Sequence, residues 1–281
     1  MRKVSTILSS NYITCKLVGR TGNMMFEIAH GYAKSLEYNR QLVVPSRESS
    51  PMPYKDTLFR KIDFSITTTP SPEEVRHIHA PFTFAELKPE DNSPTVFVGY
   101  YQSEKYFGKY AEAVRNLFSP PIEFVNRALE DYPFLKYSTV AAINVRRGDY
   151  FEQSRRHPVV SLEYVEEAIK RLPSYDYLLV TSDDMEWCRE NIKGPKIVYN
   201  DPTKYWDHEG IWLLSLCDHF IISNSTHSWW GAWLSRSENK TVIAPETWFG
   251  PEIGEDPKDL YCDSWIKLPT EFKDNYIVPK K

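Results

Sequence analysis

Arg146 and Arg147 stand side by side at the end of the apolar run Val140–Val145. Two guanidiniums directly after a buried strand suit phosphate oxygens better than packing. Each offers a fork of donors, and each charge-assisted bond contributes ~1.5–3 kcal/mol net. Gly148 permits a sharp turn behind them, so Asp149 can point back into the same place. The alternative is an Arg–Asp ion pair that only caps the strand. A second group is Ser223-Asn224-Ser225-Thr226-His227-Ser228-Trp229-Trp230-Gly231. Small hydroxyl and amide side chains entering a helix present backbone N–H groups and a positive dipole end to an anion. Its alternative is a plain N-cap with two buried tryptophans behind it. Asn224-Ser225-Thr226 also fits a glycosylation sequon, but a strand-to-helix turn is a poor acceptor.

Two further groups are weaker. The turn Gly19-Arg20-Thr21-Gly22-Asn23-Met24 would let a ligand approach the backbone, although it is neither a dinucleotide fingerprint nor a Walker loop. Ser182-Asp183-Asp184 closes another strand, where an acidic helix start can equally be dipole compensation. The nearest approach to a metal-holding Asp-x-Asp pair is Asp207-His208-Glu209, which precedes a helical run instead of ending a strand. Neither H-E-x-x-H nor G-x-S-x-G occurs. The expectation is therefore no metal site and no serine hydrolase of the G-x-S-x-G type.

The elements that must hold these groups alternate between β-rich runs and helical patterns, which implies α/β layers around a parallel sheet. Tyr12–Val18 reads as a strand, and Met25, Ile28, Ala29, Tyr32 and Leu36 mark one face of a following helix. Residues 45–94 are proline-rich and read as loops and short elements. Val96–Gly99 is a strand and Phe107–Phe118 a helix. Pro120-Pro121 interrupts the pattern. The division placed there gives an acceptor-side α/β domain over 1–120 and a Rossmann-like nucleotide-sugar domain over 121–281. In the latter, strands are expected at Val140–Val145, Tyr177–Thr181, Lys196–Val198, Phe220–Ser223 and Thr241–Ala244. Helices are expected after Ser161 as N-cap, at Asp183–Asn191, at Ile211–Leu216 and at Trp229–Ser235. Ligands of doubly wound folds bind beyond the carboxyl ends of the strands.

Composition narrows the function further. A net charge of −4 argues against a nucleic-acid partner, so any anion must be held by a few local arginines. No run approaches the ~20 apolar residues of a membrane span, and the basic start has too short an apolar stretch for a signal peptide. The four cysteines lie far apart, as buried free thiols of a reducing compartment do. The expected location is the cytoplasm, with peripheral membrane association left open.

The blocks Gly19–Phe26, Val145–Tyr150 and Ser223–Leu234 resemble, in this order, three motifs of the α-1,2-fucosyltransferase family (glycosyltransferase family 11), and His157–Tyr164 resembles the stretch that follows the arginines in bacterial members. The resemblance implies a GT-B-like architecture, two Rossmann-type α/β halves with a cleft between them. It also implies GDP-fucose as donor, inversion at the anomeric carbon, no metal, and a galactose-terminated glycan as acceptor. Carried over, Arg146 contacts the diphosphate, Arg147 braces the loop, and Asn224, Ser225 and Thr226 meet the phosphates or nucleoside. Gly22, Asn23, Asn144, Ser182 and Asp183 complete the donor set. Asp149, His157 and Glu27 are candidate bases. Asp149 is favoured because the Gly148 turn can aim it inward, while His157 has the more suitable unperturbed pKa.

Three departures from the family pattern stand out. Asn144 replaces a histidine, Arg20-Thr21-Gly22-Asn23-Met24-Met25 replaces Gly-Leu-Gly-Asn-Gln-Met, and Gly210 replaces an acid suited to guanine N–H groups, with Asp207 and Glu209 nearby. They leave open a different nucleotide-linked 6-deoxysugar donor, or a nucleotide-sugar- or glycan-binding protein without catalysis.

Overall fold

The computed structural model describes residues 11–46, 54–66, 69–205 and 207–270. The chain start weighed above as a signal sequence (residues 1–10), part of the proline-rich stretch (47–53 and 67–68) and residues 271–281 lie outside them. The chain divides into two units, one running to Ser119 and including Lys258–Cys262, the other formed by Pro120–Pro257 and the residues after Cys262.

In the first unit, β1 (Ile13–Cys15), β2 (Arg76–His79) and β3 (Thr95–Val98) make a parallel sheet in the order β1-β3-β2. Helix α1 (Thr21–Glu37) buries Met24, Met25, Ile28 and Ala29, and α2 (Ala111–Phe118) buries Val114, Leu117 and Phe118. The turn expected at Gly19–Asn23 is shorter than the sequence suggests. Arg20 O accepts from the amides of Asn23 (2.9 Å) and Met24 (3.1 Å), so Gly22 and Asn23 already lie in the first turn of α1. Only Gly19, with φ +83°, has a left-handed backbone there. β2 was not expected, because Arg-His-Ile-His offers a single aliphatic residue.

The second unit is built on a six-stranded parallel sheet. It comprises β4 (Val140–Val145), β5 (Tyr177–Ser182), β6 (Ile197–Tyr199), β7 (His219–Ile221), β8 (Val242–Pro245) and β9 (Ile266–Leu268). Their lateral order is β6-β5-β4-β7-β8-β9. Counted within the unit this is 3-2-1-4-5-6, the Rossmann order, and its direction reverses between β4 and β7. Helices α3 (Ile122–Asp131), α4 (Leu162–Arg171), α5 (Met185–Asn191), α6 (Asp207–Ser215) and α7 (Thr226–Leu234) accompany it.

Ala141, Ile143, Leu178, Val180, Ile221 and Ile243 form the buried sheet core, with Val165, Ala168 and Cys188 against it. Ser161 caps α4 by accepting from Tyr164 N at 3.2 Å, and the Tyr164 hydroxyl donates back to Ile222 O at 2.6 Å. Helices α6 and α7 approach closely: a Cβ on Gly231 would lie 2.6 Å from Leu214 Cβ. Both units are α/β, as the GT-B-like class requires. All four cysteines are free and buried, and no helix among the described residues is long and apolar enough to cross a membrane.

Candidate active site

Because β4 and β7 are the strands on either side of the reversal, their carboxyl ends face the crevice where such sheets bind ligands. Those two ends carry the arginine pair and the Ser223–Thr226 turn. Asn144, the penultimate residue of β4, spans the neighbouring strands. Its Nδ2 donates to Thr181 Oγ1 (2.9 Å) on β5, and its Oδ1 accepts from Ser223 Oγ (3.5 Å) beyond β7.

The two arginines diverge. Arg147 is 9% exposed; its amide donates to Asp183 Oδ1 (2.9 Å) and its Nε to Asp184 Oδ2 (3.0 Å). Its guanidinium lies over the rings of Trp187 (3.9 Å) and Phe151 (4.7 Å), a cation–π stack that fixes the loop. Arg146 keeps a quarter of its side chain exposed. Its Nη2 meets Asp149 Oδ1 at 2.5 Å and its Nη1 meets Asp183 Oδ2 at 3.0 Å. These take two of the five donors that a guanidinium carries.

Asp183 thus touches both arginines. It reaches them only because residue 148 is glycine: a Cβ there would sit 2.5 Å from Asp183 Oδ2. Ser182 and Asp184 hold the same strand end. Ser182 Oγ accepts from Asp184 N (2.9 Å), and Asp184 Oδ1 caps α5 through Trp187 N (3.2 Å). The acidic helix start is therefore divided, with Asp184 serving the helix and Asp183 the arginine loop.

On the β7 side, Asn224 is buried, its Nδ2 donating to Trp248 O (3.0 Å) while its Oδ1 is buried with no partner among the described residues. That burial disqualifies it as a glycosylation acceptor. Ser225 is the N-cap of α7 and makes no side-chain cap, and Thr226 opens the helix. The expected start at Trp229 moves forward to Thr226 because Ser225, with its extended backbone, ends the preceding turn. Tyr150 ties the two motifs together, its hydroxyl donating to Asn224 O (3.1 Å). His157 stacks on the Tyr150 ring at 4.9 Å.

Sequence reasoning missed His227 as a site residue. Its Nε2 lies 2.7 Å from Asp207 O. Burial pushes its pKa below the usual histidine value; Arg146 acts in the same direction, and Asp207 and Asp183 oppose it. Gly210 accounts for this placement, since a Cβ there would meet His227 Nε2 at 3.0 Å. The signal lay in the motif itself, where His227 follows Thr226 on the first turn of α7. The nearby Glu209 is paired with Arg127, whose guanidinium also covers Phe124 (5.4 Å) and Tyr205 (5.3 Å). Among the described residues, no group of three or more His, Cys, Asp or Glu side chains is gathered as a cation would need.

Gly22, Asn23 and Glu27 belong to the first unit. Asn23 Oδ1 accepts from Gln102 Nε2 (2.9 Å). Glu27 is fully buried, its Oε2 accepts from Val18 N (2.9 Å), and burial raises its pKa well above the ordinary glutamate value. A buried, neutral acid pinning the loop after β1 is not placed to take a proton from a hydroxyl, so Glu27 drops out as a base.

Comparison with known proteins agrees with this chemistry. The model of Glycosyl transferase family 11 matches residues 2–269. An alpha-1,2-colitosyltransferase of Escherichia coli is 30% identical, over 91% of this chain and 98% of its own length. Galactoside alpha-(1,2)-fucosyltransferase 2 of Oryctolagus cuniculus is 24% identical, over 91% of this chain and 76% of its own. In fold, the chain is similar to the NodZ alpha-1,6-fucosyltransferase of Bradyrhizobium, in a structure soaked with GDP-fucose (12% identity, TM-score 0.50, 80% of this chain and 93% of that one).

Proposed function

The chain belongs to glycosyl transferase family 11, and from that premise we propose that it is an inverting, metal-independent galactoside α-1,2-fucosyltransferase using GDP-fucose. The observation that carries this reading is the pairing of Arg146 with the uncapped N-terminus of α7 across the sheet reversal. As the glycosidic bond to the diphosphate breaks, negative charge builds on the departing phosphate. A guanidinium and helix N–H groups fixed beforehand stabilise it where it develops. Arg147, Asp183 and Asp184 hold the loop so that Arg146 need not be reorganised during the step. The leaving group gains its stabilisation from cationic protein groups, so activity is expected to survive EDTA.

Asp149 is the proposed base. In the absence of donor it is paired with Arg146, and a diphosphate competing for that guanidinium would release it toward the acceptor hydroxyl. His157, stacked on Tyr150, is the second candidate. Replacing Arg146 with Ala is expected to lower turnover ~10²–10³-fold, and near-normal turnover would refute the assignment. The pH–rate profiles of Asp149→Asn and His157→Ala separate the two bases; full activity in both would remove both.

A second reading keeps the transferase and changes the sugar. The colitosyltransferase shares more identity with this chain than the galactoside enzyme does. Gly210 also removes the acid expected beside the nucleobase. A cytoplasmic location, supported by four buried free thiols, belongs to the same proposal.

A further inference from the structure

The sharpest backbone anomaly among the described residues lies far from the arginines, in the loop that leaves the carboxyl end of β3. Tyr101 has φ +51°, a left-handed conformation that is an outlier for an aromatic residue, and Gly99 stands at +154° two positions earlier. Such strain persists only where the surroundings over-determine it, and it concentrates at ligand clamps. Here the surroundings do so. The Tyr101 ring is fully buried, stacked on His30 at 4.0 Å and edge-on to Tyr106 at 5.1 Å. A Cβ on Gly99 would lie 2.8 Å from Ala80 Cβ. Gln102 is buried and donates to Asn23 on α1, yet its Oε1 has no partner among the described residues. Ser103 is buried as well.

One side chain of this loop is left in solvent. Tyr100 is 43% exposed between two residues that hold its backbone rigidly. β3 is the central strand of its parallel sheet, so the ring stands at the carboxyl edge where α/β sheets bind ligands.

We infer that Tyr100 is a stacking platform for a pyranose ring of the acceptor glycan, held in place by the strained Gly99–Ser103 loop. A fixed aromatic face suits the apolar C–H face of a sugar at low entropic cost, and the unpartnered Gln102 oxygen beside it offers an acceptor for a hydroxyl. The identity of that sugar as galactose rests on the function proposed above; the platform does not.

The test uses the full chain with lactose as the probe. Saturation-transfer NMR would be recorded in the presence of GDP, and the lactose dependence of GDP release from GDP-fucose measured. Tyr100→Ala is expected to raise KM for lactose roughly tenfold and to weaken saturation transfer to the galactose ring. Tyr100→Phe should retain both, as should Tyr137→Ala, a change of an 80%-exposed tyrosine in the other unit. Release of GDP without lactose should be the same in all of them. An unchanged lactose KM and unchanged saturation transfer in Tyr100→Ala would overturn the inference, as would a wild type that shows no transfer to lactose. If wild type transferred saturation through Tyr100 but released no GDP, the platform would stand and the donor reading would fall.

Discussion

Adding one methyl group at Gly148 tests whether the arginine loop is held by the geometry described. In Gly148→Ala the new Cβ would lie 2.5 Å from Asp183 Oδ2, against the 3.4 Å at which ordinary contact begins. The carboxylate must therefore retreat by about 0.9 Å, the difference between those distances. That movement strains the 3.0 Å contact with Arg146 Nη1 and the 2.9 Å bond from Arg147 N. Overpacking of this size costs ~1–3 kcal/mol of stability, while misplacing a catalytic group by ~1 Å can cost ~10²-fold in rate. The expected outcome is a folded enzyme with a modestly lowered Tm and turnover reduced about a hundredfold, read by coupled nucleotide release. The double variant Gly148→Ala/Asp183→Ala isolates the cause. With the carboxylate gone the methyl group has nothing to displace, so the double variant should be no slower than Asp183→Ala alone. If Gly148→Ala kept wild-type turnover, or if the two losses simply added, Asp183 would not be what orients Arg146.

Other consequences follow from buried titratable groups of the first unit. Glu27 holds its proton in the folded state well above pH 4.5, so its contribution to stability is greatest below 4.5 and declines as pH rises toward the raised folded value. Glu27→Gln keeps an acceptor for Val18 N–H and should match wild type near pH 4.5 but exceed it at pH 7 in urea midpoint; equal midpoints at both pH values would contradict this. His30 has the opposite sign: burial lowers it from 6.5 to about 3, so stability present above pH 6.5 is lost as pH falls toward 3. His30→Phe preserves the ring stack on Tyr101 and should flatten that acid limb; an unaltered limb would show that His30 is not its source. Thermal shifts with GDP-, UDP- and dTDP-sugars should favour the guanine nucleotide, and equal shifts would shift weight to a different donor.

Much of the second unit was legible because its signals are local. Val140–Val145 is a continuous apolar run with the limits observed, and Ser161 is the cap its position implies. Where signals conflict, the reading failed. Pro120-Pro121 was read as an interruption, yet Pro121 is the N-cap of α3, a place where a missing amide costs nothing. β9 is a three-residue edge strand without an apolar run.

Within the site, the motif residues announced a ligand, but their arrangement depends on contacts distant in sequence. No local pattern places β4 next to β7, or brings Asp183 onto Arg147 across 36 positions. Gly148 was legible as a turn. What it makes room for was not. Gly210 likewise read as the loss of an acid, where the fold shows the space taken by His227.

The most direct test of the account is GDP release from GDP-fucose in EDTA, with and without a galactose-terminated acceptor, compared between wild type and Arg146→Ala. The account predicts release that the acceptor stimulates in wild type and that falls ~10²–10³-fold in the variant. Release that required a divalent cation, or that Arg146→Ala left intact, would contradict it.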